Sequence, residues 1–249
     1  VKGFRILRGR GVEGRIGTRI FVIGNTRLMD EKKISLKEFE NRIKEFENKG
    51  YTTIIVSENT KAIGIIGIAD AVKDDSVEAI KILNKEGYRN IMITGDNERT
   101  AKAIAKQVGI KEVIANVLPE EKTKKVEELQ KEGMVAFIGD GINDAPALKQ
   151  SNVGIAIGTG TDIAIEAGDI VLAKGSLIGV VQAINLSKAT FKKIKQNLFW
   201  AFAYNIAAIP LATIGILHPV IAEIAMATSS ISVVGNANLL RRNKLSLRH

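Results

Sequence analysis

From Phe4 to Ile23 apolar and polar positions alternate with interspersed glycines, a period of two that predicts antiparallel strands joined by tight turns. Ser35-Leu36-Lys37-Glu38 has capping-box spacing and predicts a helix with Leu36, Phe39, Ile43 and Phe46 on one face and Gly50 as its stop. Thr52–Ser57 and Ala62–Ile68 read as two strands around a turn at Glu58-Asn59-Thr60-Lys61. From Asp70 the rhythm changes. A helix over 76–86 stops at Gly87 and leads into an Ile91 strand, and a second, with Ala101, Ile104, Ala105 and Val108 on one face, stops at Gly109. A third over 120–132 leads into a Val135 strand, and strands follow at Val153–Ile157 and Ile170–Ala173. Strands spaced by helices of this length imply right-handed crossovers and an α/β fold with a doubly wound parallel sheet.

The pattern changes once more near the end. Leu198 to Leu217 is twenty residues without a charge, and after His218-Pro219 a second stretch runs to Leu240 with Glu223 as its only charge. A bilayer-spanning helix needs about 20 mainly apolar residues, so the expectation is a transmembrane hairpin with helices at about 197–217 and 219–240. A pair of buried core helices is the alternative reading of the same pattern. Of the formal charge of +9, +7 falls in residues 186–249, where eight Lys and Arg flank the apolar pair and none lies between them. By the positive-inside rule both ends of the hairpin are expected in the cytoplasm. The basic balance is thereby explained without a nucleic-acid partner.

With no cysteine the 249 residues carry no disulfide and no thiolate metal site. The amino terminus, Val-Lys-Gly-Phe-Arg, has no signal-peptide character and reads like the middle of a sheet, so the chain is expected to start inside a domain.

Two motifs follow predicted parallel strands: Thr94-Gly95-Asp96-Asn97 after Ile91–Ile93, and Gly139-Asp140-Gly141-Ile142-Asn143-Asp144 after Val135–Ile138. Open α/β sheets gather their chemistry at the carboxyl ends of such strands. A hydroxyl at one strand end and two carboxylates at another suit a magnesium–phosphate site, since Mg²⁺ takes hard oxygen ligands. Thr-Gly turns are common, and an Asx-rich turn is the ordinary reading of either motif alone. The two together, with Ala145-Pro146-Ala147-Leu148 after them, argue for phosphoryl chemistry. Pro119-Glu120-Glu121-Lys122 opens the third helix and sets a lysine within reach of phosphoryl oxygens, although a lysine there is by itself more often solvated surface.

These motifs, in this order, resemble the phosphorylation domain of P-type cation-transporting ATPases, a branch of the haloacid dehalogenase superfamily. The resemblance implies a Rossmann-like, haloacid dehalogenase-type sheet over 69–186, preceded at 1–68 by the carboxyl-terminal part of an antiparallel α+β ATP-binding domain and followed at 187–249 by two transmembrane helices. It implies that Thr94, Lys122 and Asn143 hold the phosphoryl group, that Gly95 and Asp96 share the catalytic loop, and that Asp140 ligates Mg²⁺ with Asp144 supporting the metal site. Asp70 and Asp96 would stand at the hinge and catalytic rim. Gly9-Arg10-Gly11-Val12 is similar to the Gly-x-Gly loop that binds ATP in heavy-metal members, which makes Gly9 and Gly11 candidates.

Tyr204-Asn205 within the first apolar stretch and Met226-Ala227-Thr228-Ser229-Ser230 within the second put polar groups at membrane depth, where they are functional or serve helix–helix hydrogen bonding. A methionine thioether is a soft ligand that favours Cu(I). Tyr204, Asn205, Met226, Ser229 and Ser230 resemble the pattern of copper(I)-exporting members, whereas zinc-type members are expected to show an intramembrane Asp and Lys. Glu223 lies about one turn outside Met226 and is read either as an aid to ion release or as a solvated interfacial acid.

The resemblance also implies what is missing. The family's Asp-Lys-Thr-Gly motif, whose aspartate takes the phosphate, does not occur in the sequence, nor do Ser-Glu-His-Pro, Thr-Gly-Glu or Cys-Pro-Cys. The expectation is therefore the carboxyl-terminal third of a multi-pass cell-membrane transporter using ATP and Mg²⁺ to move Cu⁺, inactive without its amino-terminal portion. Two readings compete with it: a transporter for another ion, and a membrane-anchored ATP-binding module that keeps the fold without turnover.

Overall fold

The computed structural model describes residues 1–7, 9–69, 72–140, 142–158, 166–215 and 218–242. The chain forms two compact units, Val1–Ile178 and Gly179–His249.

The first unit opens with a five-stranded antiparallel sheet in the order β1 (Lys2–Leu7), β2 (Gly11–Ile16), β3 (Arg19–Gly24), β4 (Thr52–Glu58), β5 (Lys61–Ile68). Each strand pairs with its sequence neighbour, as the alternating pattern requires. Inserted between β3 and β4 are helices α1 (Thr26–Glu31) and α2 (Glu40–Asn48). They cover one face of the sheet with a core of Val22, Leu28, Met29, Ile34, Ile43, Ile55 and Ala62. The helix expected to start at Ser35 begins instead at Glu40, and Ser35 forms a bridge to Lys61. The capping-box spacing was outweighed by sheet pairing, although Leu36 and Phe39 still pack on the core. Helix α1 was not expected. Its signal is Asn25, whose side chain accepts from the Leu28 amide at 3.0 Å as an N-cap.

The parallel half follows: α3 (Asp74–Lys85), β6 (Ile91–Ile93), α4 (Glu98–Val108), β7 (Glu112–Ile114), α5 (Pro119–Gln130), β8 (Ala136–Gly139), α6 (Ala145–Gln150), β9 (Val153–Ile157) and β10 (Ile170–Leu172). Gly109 ends α4 in the left-handed region at φ 84°, and Gly87 follows α3 at the same φ. All these strands pair in parallel, but not as the single continuous sheet expected. β6 bonds to β7, while β8, β9 and β10 form a separate group in the order β10-β9-β8. β6 and β8 nevertheless share one core, for Ile93 packs on the cluster containing Val126, Phe137 and Leu148. β6 and β8 each have one edge that no described strand pairs.

The second unit is helical, with α7 (Ile178–Thr213), which begins at the boundary, and α8 (Pro219–Asn238). The helices meet through a polar ladder. Lys193 Nζ donates to Asn236 Oδ1 at 2.8 Å, Asn236 Nδ2 donates to Asn197 Oδ1 at 2.7 Å, and the Tyr204 and Ser232 hydroxyls are 3.3 Å apart.

The expected transmembrane hairpin is corrected here: among the described residues no helix is long and apolar enough to cross a membrane. The charge-free stretch is not a helix of its own. Most of it is the end of α7, whose preceding turns carry Lys188, Lys192, Lys193, Lys195 and Asn197, and it is interrupted by Tyr204 and Asn205. The helix stops at Thr213, ahead of Gly215 at φ 74°, so it does not take in the last apolar residues counted from sequence. Helix α8 is diluted by Glu223, Ser229, Ser230, Ser232 and Asn236.

Candidate active site

The chemistry-bearing residues of the first unit converge because the loops that follow β6 and β8 line one cleft. At the end of β6, the Thr94 amide donates to the Ile114 carbonyl and the Val117 amide to the Thr94 carbonyl, at 3.0 and 3.1 Å, so this loop is braced by the one after β7. Gly95 sits close against that second loop, where an added Cβ would lie 3.3 Å from the Val117 carbonyl oxygen. The Thr94 hydroxyl donates to Asp96 Oδ2 at 2.9 Å and accepts from the Asp96 amide at 3.1 Å. Asn97 then caps α4, accepting from the Arg99 and Thr100 amides.

Lys122 is set by the start of α5, where Pro119 occupies a position that needs no amide donor and the Glu121 carboxylate accepts from the Leu118 amide at 2.9 Å. One turn in, Lys122 Nζ donates to Asp144 Oδ1 at 2.7 Å, with both side chains largely out of solvent. Asp144 closes a 3-10 turn (Ile142–Asp144) after β8 and lies against Gly139, where a Cβ would meet the Asp144 Cβ at 2.7 Å. Asp140 stands exposed at the carboxyl end of β8, and Asn143 is exposed in the turn.

A cleft of about 210 Å³ joins the two halves of the unit. The antiparallel half contributes Gly9, Asn25 and Thr52 to its wall, and the parallel half contributes Gly95, Asp96, Lys122 and Asn143. Gly9 has φ 70°, and its carbonyl accepts from Asn25 Nδ2 at 3.1 Å. Gly11 does not line the cleft. With φ 151° it lies in β2 against Gly24, and a Cβ there would sit 2.1 Å from the Ile23 carbonyl oxygen, so only glycine fits. Asp70 and Gly141 lie outside the described residues.

Asn25, Glu47 and Thr52 also line this cleft and were not singled out from the sequence. The cap signature at Asn25 was readable. Glu47 and Thr52 carried no signal, since they reach the site only through the packing of one half on the other.

The donor set suits magnesium bound to phosphate oxygens. Mg²⁺ keeps several waters and commonly takes one or two carboxylates together with substrate phosphates. Asp140 is open to solvent, and Asp144 follows four residues on at the end of the 3-10 turn. Among the described residues no group of three or more His, Cys, Asp or Glu is placed to hold a metal without such a substrate.

The five residues read as a copper path belong to the helical unit, and their contacts do not draw them together. Tyr204 meets Ser232. Asn205 Nδ2 donates to the Ala201 carbonyl at 2.9 Å and Ser230 Oγ to the Met226 carbonyl at 3.2 Å, each within its own helix. The Met226 side chain is exposed and Ser229 half-buried.

Comparison with known proteins agrees with this architecture. A copper-exporting P-type ATPase of Staphylococcus saprophyticus is 48% identical over 243 residues, covering 97% of this chain and 31% of the relative. One from Staphylococcus aureus strain USA300 / TCH1516 is 49% identical over 247 residues, again covering 31% of its length. The chain thus spans about a third of the relatives it matches. Among solved structures, a zinc-transporting PIB-type ATPase in the E2.Pi state superposes with a TM-score of 0.72 at 36% identity, covering 96% of this chain and 39% of that one. The catalytic domain of a CPx-ATPase gives 0.51 at 29% identity, covering 72% of this chain and 63% of that one. A second haloacid dehalogenase-like hydrolase model matches residues 121–184. With the first such model matching residues 5–152, from the antiparallel sheet through both phosphate-type loops, the chain belongs to the haloacid dehalogenase-like hydrolase family.

Proposed function

We propose that this chain is the carboxyl-terminal portion of a P-type ATPase that exports copper(I) at the cost of ATP. The observation that carries the proposal is one cleft lined by Gly9 from the antiparallel half and by Gly95, Asp96, Lys122 and Asn143 from the parallel half. In this reading ATP enters from the Gly9 side, with Gly11 shaping the loop, and residues 1–68 are the nucleotide-binding part. Residues 69–186 are the phosphorylation part, with Asp70 at the hinge and Asp96 on the rim. Thr94, Lys122 and Asn143 hold the phosphoryl group being transferred. Asp140, with Asp144 in support, would hold the Mg²⁺ that supplies charge neutralisation to the phosphoryl group, and the Lys122–Asp144 contact fixes the ammonium beside that site.

The phosphate acceptor in this reading comes from the rest of the transporter. A strand carrying it would pair with β6 or β8, each of which has one edge unpaired among the described residues and is followed by a loop that carries Thr94 or Asp140. Residues 187–249 associate with the membrane as part of the whole protein, which would cover the exposed apolar side chains of α7 and α8 such as Phe199, Phe202, Ile206 and Ile231. Tyr204, Asn205, Met226, Ser229 and Ser230 then lie on the copper path.

The test is labelling with [γ-³²P]ATP and Mg²⁺. The whole transporter is expected to form an acid-stable, hydroxylamine-sensitive phosphoenzyme on addition of Cu(I), and Asp140→Asn is expected to remove it. The 249-residue chain alone is expected to take no label; a labelled chain would overturn the proposal. The likeness to a zinc-transporting structure supports a second reading in which the cargo is Zn(II), and stimulation by Zn(II) in place of Cu(I) would select it.

A further inference from the structure

Three hydrogen bonds tie the segment 47–52, from the end of α2 into β4, to the segment 96–100, from the loop after β6 into α4. Arg99 Nη1 donates to Glu47 Oε2 at 2.9 Å, the Thr100 hydroxyl donates to the Tyr51 carbonyl at 3.0 Å, and the Thr52 hydroxyl donates to Asp96 Oδ1 at 3.1 Å. Two of the anchors are deeply placed, with Glu47 only 4% exposed and Thr100 fully buried. Gly50, at φ 81°, turns the chain from α2 into β4 in the left-handed region, and a Cβ there would make only ordinary contacts with Ile104 at 3.4 Å and Gln107 at 3.6 Å. One half of the unit therefore grips the loop that carries Thr94 in the other.

The grip has a chemical consequence at Asp96. Its carboxylate accepts from two hydroxyls, Thr52 on Oδ1 and Thr94 on Oδ2. When Thr94 turns its proton toward an incoming phosphoryl oxygen, Asp96 loses one donor. A carboxylate stripped of its donors resists such a move, and the Thr52 bond lowers that resistance by keeping one donor in place. It also fixes the rotation of the carboxylate, and so the direction from which Thr94 starts.

We infer that Thr52, held in place by the Glu47–Arg99 and Tyr51–Thr100 contacts, is a positioning residue for the phosphate-binding hydroxyl of Thr94. This inference rests on the phosphoryl role proposed for Thr94, and the test separates the two. In the 249-residue chain, amide hydrogen exchange at Asp96 and Asn97 reports the grip without ligand, and the shift of the Thr94–Asn97 amide resonances on titration with inorganic phosphate and Mg²⁺ reports the site. Thr52→Val is expected to speed exchange and to weaken phosphate binding by about five- to tenfold each, the worth of one intramolecular hydrogen bond. Thr52→Ser, which keeps the donor, is expected to restore both to within about twofold. Wild-type exchange or wild-type phosphate binding in Thr52→Val would overturn the inference, as would failure of Thr52→Ser to rescue. A wild-type chain whose Thr94–Asn97 resonances ignore phosphate would instead overturn the phosphoryl reading, with the exchange measurement still deciding whether Thr52 holds the loop.

Discussion

Lys122 and Asp144 meet at 2.7 Å although 22 residues separate them, and the contact joins the first turn of α5 to the turn after β8. It is one of the less exposed ion pairs of the chain, with side chains 19% and 12% accessible. Removing one partner leaves the other charge poorly solvated. Lys122→Ala is therefore expected to lower the unfolding free energy by about 1–3 kcal/mol in urea. Its phosphate response, read as the titration of the Thr94–Asn97 resonances with phosphate and Mg²⁺, is expected to fall by more than about tenfold.

Gly139 controls the same contact from below. An added methyl would lie 2.7 Å from the Asp144 Cβ and 3.0 Å from its Oδ2. Gly139→Ala is expected to push Asp144 off Lys122 and to cost about 1–3 kcal/mol by overpacking. Gly64→Ala, which meets nothing within 4 Å, is the matched control and is expected to stay within about 0.5 kcal/mol of wild type.

The amino ends of β6 and β7 are joined by charge. Arg89 makes two hydrogen bonds to Glu112, at 2.7 and 2.6 Å, and a further one to Glu132. The hydrogen bond from Arg89, and then its charge, hold the Glu112 carboxyl below its ordinary value of 4.5. A carboxyl with a lowered folded-state value stabilises the fold above its unfolded value and loses that contribution as the pH falls through the folded one. The stability difference between wild type and Arg89→Gln should be full at neutral pH and vanish as acid unfolding curves are taken below about pH 4.5. A difference that persists in strong acid would contradict this origin.

In the helical unit, Asn236 is the middle rung between Lys193 and Asn197. Asn236→Leu removes both bonds while keeping a γ-branched side chain. It is expected to lower the stability of the α7–α8 pair by about 0.5–1.5 kcal/mol in a detergent thermal melt followed by helical ellipticity.

Most strands were legible because period-two alternation in β1 to β5 and short β-branched runs in β6, β8, β9 and β10 are local signals, whereas the three-residue β7 was not expected. The helix stops at Gly87 and Gly109 were legible for the same reason, since left-handed backbone asks for glycine. The helix expected at Ser35 was displaced because pairing with Lys61 competes with capping, and competition between distant segments does not show in a local motif. At the site, Thr94, Lys122, Asn143 and Asp144 stand out through motifs and the family resemblance those motifs carry, whereas Glu47, Thr52 and Arg99 belong to no such motif. Their roles exist only once α2 lies against α4. The apolar end of the chain misled in a different way: counting uncharged residues ignored where the helix stops and how many amides and hydroxyls it carries.

The unpaired edges of β6 and β8 also bear on how this polypeptide behaves at high concentration. A short parallel edge with free amides and carbonyls is a template for any extended chain, a second copy included. Self-association along these edges would compete with the strand pairing proposed above, so in that reading the added strand guards against aggregation as well as carrying chemistry.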